Sequence, residues 1–336
     1  MNIVTIVVPC RNEIDYISSF IDSILSQDYP RDKIEIIIAD GVSNDGTREF
    51  LLSLDDDRIK IVDNVDQYVS QGLNTAIKSA SGDIVMRMDV HCIYPTSYVS
   101  ILSAYISSKE GVGNVGVCCE TLAGDSTAMA EAISLVAASV VGVGNSAFRT
   151  AKFEGVKCVD TVPFGCWKRS LFDDIGYFDT ELARNQDDEF NQRILKAGYE
   201  IHLISNIVVK YFARKNVRSH AKMFYQYGLF KPLANKKLRK LTTARQLAPP
   251  ALVLYVLTAL YLLAINPFLG GELIALMIAS YFSASYISLR KVTFIKRVSL
   301  LFPFMYVAIV THLSYGLGYW RGLFFVPIDS TTPMSR

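Results

Sequence analysis

Two hydrophobic rhythms divide the chain. In the first two hundred residues, short runs of β-branched and aliphatic residues at 3–8, 34–39, 58–62 and 84–88 predict strands buried on both faces. Between them, Ile17, Phe20, Ile21, Ile24 and Leu25 recur at helical spacing, and 48–54, 69–80 and 189–197 are read as further helices. Asp45 and Thr47 are candidate caps for the helix at 48–54, and Ser81-Gly82-Asp83 stops the one at 69–80. Repeated strand–helix order predicts an α/β fold with a doubly wound parallel sheet.

From 246 onward this rhythm is lost. Residues 246–289 carry a single charge, Glu272, and Pro267, Gly270 and Gly271 split them into apolar segments at 249–265 and 272–289. A third segment, 298–320, has no formal charge. Each approaches the roughly 20 residues that cross a bilayer. A buried hairpin of a soluble domain is the alternative, but three such runs in succession exceed what a domain core holds, so about three transmembrane helices are expected. Pro303, Gly316 and Gly318 predict a kink or an early end in the third. The stretch 128–144 is apolar but too short to span.

Charge follows the same division. Residues 1–205 hold 17 Lys/Arg against 30 Asp/Glu, residues 206–245 hold 11 Lys/Arg and no acid, and 246–336 hold 6 against 2. The chain is thus read as an acidic domain (1–205), a basic amphipathic collar (206–245) and a membrane domain (246–336). This excludes a uniformly basic nucleic-acid binder and a secreted disulfide scaffold. Aromatic and apolar residues interleave with the collar's cations, as in a segment lying on anionic lipid, with a solvated linker as the alternative. Lys236, Lys237, Arg239 and Lys240 precede the first apolar segment, and Arg290, Lys291, Lys296 and Arg297 separate the second from the third. The loop between the first two has no Lys or Arg. The positive-inside rule then predicts a multi-pass protein of the cytoplasmic (inner) membrane with its acidic domain in the cytoplasm. The six cysteines show no zinc spacing and are expected as reduced thiols.

Polar clusters stand at the predicted strand ends: Pro9-Cys10-Arg11-Asn12-Glu13, Asp40, and Asp89 with His91. Ligands of such sheets bind there. No GxGxxG follows the first strand and no GxxxxGK[ST] occurs, so neither a dinucleotide fold nor a P-loop is indicated.

Five motifs in order carry a resemblance: Val7-Val8-Pro9-Cys10-Arg11-Asn12-Glu13, Asp40-Gly41 with Asp45-Gly46-Thr47, Gly72-Leu73-Asn74, Asp89-Val90-His91, and Asn185-Gln186-Asp187-Asp188-Glu189. Over about 1–235 the chain resembles the family 2 glycosyltransferases. Asp160–Gly165, Gly176–Asp179 and Gln226-Tyr227-Gly228 are similar to a bacterial subgroup of succinoglycan type. The resemblance implies a GT-A fold, a Rossmann-like mixed sheet with helices on both faces. It implies an inverting transfer from a nucleotide-sugar donor to a polyprenyl-(di)phosphate-linked acceptor in cell-surface glycan synthesis. Asp89 and His91 would hold Mn²⁺ or Mg²⁺, His91 standing where the family usually has a second Asp. Pro9, Glu13, Asp40, Arg87 and Asp89 would line the nucleotide-sugar site. Asp187 matches the general base, Asp188 is its rival, and Gln186 replaces the usual Glu. Gly165, Trp167, Gln186 and Asp188 would face the acceptor, Trp167 either stacking on a sugar or filling the core. Other readings are a processive polysaccharide synthase, a polyprenyl-phosphate sugar synthase and a non-catalytic sugar-nucleotide-binding scaffold.

Overall fold

The computed structural model describes residues 1–144, 146–150 and 153–325. Among these residues nine strands form one sheet: β1 (Val4–Cys10), β2 (Ile34–Asp40), β3 (Ile59–Asp63), β4 (Ile84–Arg87), β5 (Cys92–Ile93), β6 (Val112–Leu122), β7 (Val156–Cys158), β8 (Cys166–Lys168) and β9 (Glu200–Phe212). They run in the order β3-β2-β1-β4-β8-β6-β9-β5, with β7 also on β9. The first four are mutually parallel, as their apolar runs predict. β8 is antiparallel to β4 and β6, and β5 and β7 are antiparallel to β9. The sheet is therefore mixed beyond β4, as the family resemblance implied and the strand–helix alternation did not.

Side-chain alternation gives each strand two buried faces. Ile6 and Val8 meet Ile17, Phe20 and Ile24 of the helix Ile14–Leu25. Val7 meets Leu73, Ala76 and Ile77 of the helix Val69–Lys78 on the other side. Each such fully buried aliphatic contributes about 1.5–3 kcal/mol, so the strand ends, where the polar motifs sit, have a rigid base.

The expected domain end at residue 205 lies within β9, which carries the sheet on to Phe212. The collar also packs against the protein. Its helix, Val217–Leu238, buries Met223, Leu229 and Phe230 within the protein. It packs on the helix Phe294–Phe325 through glycines. A Cβ at Gly228 would stand 2.0 Å from the Tyr315 carbonyl oxygen, and one at Gly318 would stand 2.1 Å from that of Tyr225. Backbones approach this closely only where no Cβ intervenes.

Among the described residues, three helices are long and apolar enough to cross a membrane: Ala244–Ile265, Pro267–Lys291 and Phe294–Phe325. The third does not end early, since it continues through Pro303, Gly316 and Gly318. The short helix Ala128–Ala137 lays Ala132, Ile133 and Val136 against Leu300, Phe304 and Val307 of that third helix.

Candidate active site at the strand ends

A cleft of about 810 Å³ opens at the carboxyl ends of β1 and β4. Its wall contains Pro9, Glu13, Arg87, Asp89, His91, Gln186, Asp187 and Asp188. Sequence positions almost two hundred apart therefore share one space.

The chain leaves β1 through Asn12, in the left-handed region at φ 54°. A polar knot fastens this turn to the loop after β2. The Asn12 amide donates to Ser43 Oγ (2.9 Å), the Glu13 amide to Thr47 Oγ1 (2.8 Å) and the Ile14 amide to Asp45 Oδ2 (3.2 Å). Asp45 and Thr47 thus tie two helix starts together, and the cap position of Thr47–Leu52 is Gly46. Burial raises the Asp45 pKa, but hydrogen bonds from Thr47 and Ile14 outweigh it and the net shift is downward.

Asp40 does not line the cleft. It is fully buried, accepting from Ser43 Oγ at 2.6 Å and from Arg48 Nη1 at 2.8 Å. A buried carboxylate needs such partners, and here they engage both of its oxygens. Trp167 is likewise not a wall of the cleft. It is 1% exposed, with its ring edge-on to Phe172, Phe178 and Phe190. The expected stacking on a sugar is corrected to core packing. Gly165 lies behind the wall as well. Its carbonyl accepts the Arg87 amide at 3.0 Å, and at φ 123° a Cβ would meet the Trp167 ring at 2.2 Å.

Arg87 grips Asp89 in a fork, Nε to Oδ1 at 2.8 Å and Nη2 to Oδ2 at 3.0 Å. Burial disfavours the charged guanidinium, but Asp89 and the more distant Asp187 outweigh that, and its pKa moves upward. Arg87 Nη1 is buried with no hydrogen-bond partner among the described residues. His91 Nδ1 lies 3.8 Å from Glu13 Oε1, and its ring stands edge-on to Tyr211 with centroids 5.1 Å apart.

These residues fit a hard divalent cation. Asp89 retains lone pairs beyond the two that Arg87 occupies, and both Asp89 and His91 face the cleft. One oxygen and one imidazole nitrogen suit Mn²⁺ or Mg²⁺ with open positions left for substrate oxygens.

The helix Gln186–Lys196 starts at Asn185, φ 62°, whose Nδ2 donates to the Tyr227 carbonyl at 3.0 Å. Its three first-turn acids suit the positive end of the helix dipole, yet they have separate surroundings. Glu189 pairs with Arg193 at 2.7 Å, and Arg193 also binds the Ile175 and Tyr177 carbonyls. Asp188 is ion-paired with Lys231. Asp187 makes no ion pair among the described residues, accepts the Asp188 amide at 2.9 Å and faces the cleft.

The cleft also holds residues not singled out from sequence. The Arg149 guanidinium lies 4.7 Å from the Tyr211 ring centre, and that of Arg184 lies 5.6 Å from that of Tyr227. His220 Nε2 meets Thr311 Oγ1 at 2.8 Å. In the sequence Arg149, Arg184 and His220 are scattered charges and a lone histidine, with no motif to mark them.

The family model for glycosyl transferase family 2 matches residues 5–129. A dolichyl N-acetylglucosaminyl phosphate diacetamidodideoxyglucuronosyltransferase of Methanococcus voltae is 30% identical over 249 residues, 70% of this chain and 75% of the relative. The succinoglycan biosynthesis protein ExoA of Rhizobium meliloti is 28% identical over 276 residues, 81% of this chain and 78% of that protein. Among solved structures, the mannosyltransferase PcManGT of Pyrobaculum calidifontis, in complex with GDP-Man and Mn²⁺, aligns over 96% of this chain and 87% of its own, with TM-score 0.60 and 19% identity.

Proposed function

The chain belongs to the family 2 glycosyltransferases, and from that premise we propose that it moves a sugar from a nucleotide-sugar donor to a lipid-linked acceptor, with inversion. The observation that carries this reading is the continuity of one cleft. It runs from Asp89 and His91 past Asp187 to Thr311, His312 and Tyr315 of the third apolar helix. A donor site and a bilayer helix therefore bound the same space. The names of the relatives point the same way: one acts on a dolichyl-phosphate sugar and another is a succinoglycan biosynthesis protein.

On this reading Pro9 and Glu13 line the donor side. Arg87 orients Asp89 and offers Nη1 to a phosphate oxygen. Asp89 and His91 hold the divalent cation, which, when bound, neutralises charge on the departing nucleoside diphosphate. Asp187 takes the proton of the acceptor hydroxyl as its oxygen bonds to the anomeric carbon and the diphosphate leaves from the opposite face. Asp188 is a weaker base candidate, since Lys231 occupies one of its oxygens. The basic residues at 236–240 and 290–297 support a cytoplasmic catalytic face.

The test uses the full chain in nanodiscs with radiolabelled nucleotide sugars. Label should enter a lipid fraction that carries glycosylated polyprenyl diphosphate. Transfer to bare polyprenyl phosphate alone would favour a polyprenyl-phosphate sugar synthase. A long polymer from each binding event would favour a processive synthase. Absence of transfer from every nucleotide sugar tried would overturn the proposal.

A further inference from the structure

The half of the cleft nearest the apolar helices is cationic. Arg149, Arg184, Arg214, Lys222 and Arg245 all line it. They come from four places: a short helix at Ala147–Thr150, the turn before Gln186–Lys196, the exit of β9 with the first turns of Val217–Leu238, and the 3-10 turn Ala244–Leu247. Among the described residues, no carboxylate lies within ion-pair distance of any of them. Of the acids in the same cleft, Asp89 is engaged by Arg87 and Asp188 by Lys231, while Asp187 acts on Arg184 from beyond ion-pair distance.

Five like charges gathered with no carboxylate in ion-pair contact repel one another. The neighbours register this. Burial lowers the Arg184 pKa, and Arg214 lowers it further. Burial takes His220 down to about 4, with Arg214 and Arg149 adding to the effect. A bound anion would relieve this repulsion. Position narrows its kind. Arg245 lies in the 3-10 turn that opens the apolar helix Ala244–Ile265 and packs on Gly144, whose Cβ would lie 2.9 Å from Arg245 Cδ. The adjoining lip is apolar, built of Val140, Val141 and Val143, with Val140 64% exposed. Phosphate-bearing headgroups and hydrocarbon meet at this level of a membrane protein.

We propose that this cation cluster seats the phosphate or diphosphate headgroup of the lipid-linked acceptor, with the hydrocarbon chain leaving past Val140 and Val141. The proposal rests on the reading that the acceptor is lipid-linked, and it adds where the acceptor's anion is held. Arg149 reaches Tyr211, which stands against His91, so the seat adjoins the donor side. The sugar of the acceptor would then lie between the seat and Asp187.

The donor's own diphosphate shares this chemistry, so the experiment must separate the two. The full chain in neutral phosphatidylcholine nanodiscs is titrated with undecaprenyl diphosphate, undecaprenol, inorganic pyrophosphate and UDP with Mn²⁺. Lys222 and Arg245 are exposed, so the double variant K222Q/R245Q should fold. It should bind undecaprenyl diphosphate at least about tenfold more weakly, given the size of charge-assisted hydrogen bonds. Its affinity for UDP should stay within about twofold, and R245K alone should recover most of the loss. R214Q, nearer the interior, should lose a similar factor. Undecaprenol and pyrophosphate should each bind the wild type more weakly than undecaprenyl diphosphate.

Unchanged lipid affinity in both K222Q/R245Q and R214Q would overturn the proposal. So would a parallel loss of UDP affinity, which would assign the cluster to the donor. Equal binding of undecaprenol would remove the headgroup from the recognition. Failure here is distinct from failure of the proposed activity. A chain that transfers sugar to lipid while K222Q/R245Q and R214Q both bind the lipid normally would sink only the cation seat. A chain that binds undecaprenyl diphosphate through these cations but transfers no sugar would sink only the transferase reading.

Discussion

Lys231 of the helix Val217–Leu238 is ion-paired with Asp188 of the helix Gln186–Lys196, while the adjacent Asp187 faces the cleft with no such partner. One turn of helix therefore separates two carboxylates into a structural acid and a candidate base. Adjacent helix residues project about 100° apart, and the Lys231 ammonium lies on only one of those directions. Asp187→Asn should lower kcat about 10²–10⁴-fold with nucleotide-sugar affinity nearly unchanged. Asp188→Asn should have the milder effect on rate but should cost about 1–3 kcal/mol of stability, because it leaves the Lys231 charge poorly paired. Steady-state kinetics and thermal melts of both variants check this. A reversed pattern of rates would move the base to Asp188.

The pairing of Asp89 with Arg87 shapes the metal prediction. EDTA should abolish transfer, and Mn²⁺ or Mg²⁺ should restore it. Asp89→Ala should lose nucleotide-sugar binding and also melt at lower temperature, since it strands the buried Arg87 guanidinium. Asp89→Asn keeps the volume and part of the hydrogen bonding, so it should lose metal-dependent donor binding with a smaller drop in melting temperature. Calorimetric titration with UDP and Mn²⁺, beside thermal melts, separates the two effects. Full activity in EDTA after metal-free purification would refute the metal assignment.

Topology can be read with thiols. A Cβ at Gly270 would lie 2.2 Å from the Leu263 amide nitrogen, whereas Gly271 has open space. Cysteine is therefore better introduced at Gly271 than at Gly270. An impermeant maleimide should label Gly271→Cys in intact cells and miss Lys291→Cys. The native Cys158 is exposed and should react only after permeabilisation. The opposite labelling would place the catalytic face outside.

His220 predicts a pH dependence of stability. It is 1% exposed, and burial, aided by Arg214 and Arg149, lowers its pKa from 6.5 to about 4. The folded state therefore binds this proton less readily than the unfolded state. Its contribution is fully present above pH 6.5 and is lost as pH falls through about 4. The loss across that window is on the order of 3 kcal/mol. Melting temperature should fall between pH 6.5 and 4 more steeply in the wild type than in His220→Asn, and equal slopes would remove His220 as the cause.

Much of this protein follows from sequence alone, because the signals involved are local. Strands β1 to β4 and the helices between them arise from apolar spacing, which the backbone period turns directly into a buried face. The length of the apolar runs likewise yields three helices able to cross a membrane. The strand-end motifs set Pro9, Glu13, Asp89 and His91 along one edge, since parallel strands deliver their carboxyl ends there, whereas Asp187 entered only through the family resemblance. What tertiary structure alone decided depends on partners distant in the chain. Asp40 stays buried because Arg48 and Ser43 engage both of its oxygens. Trp167 fills the core because three phenylalanines surround it. The collar is buried because glycines on another helix let it approach. Asp188 differs from Asp187 because of a lysine 43 residues away. No local pattern encodes these choices, because each is set by which surfaces meet when the sheet and the apolar helices pack together.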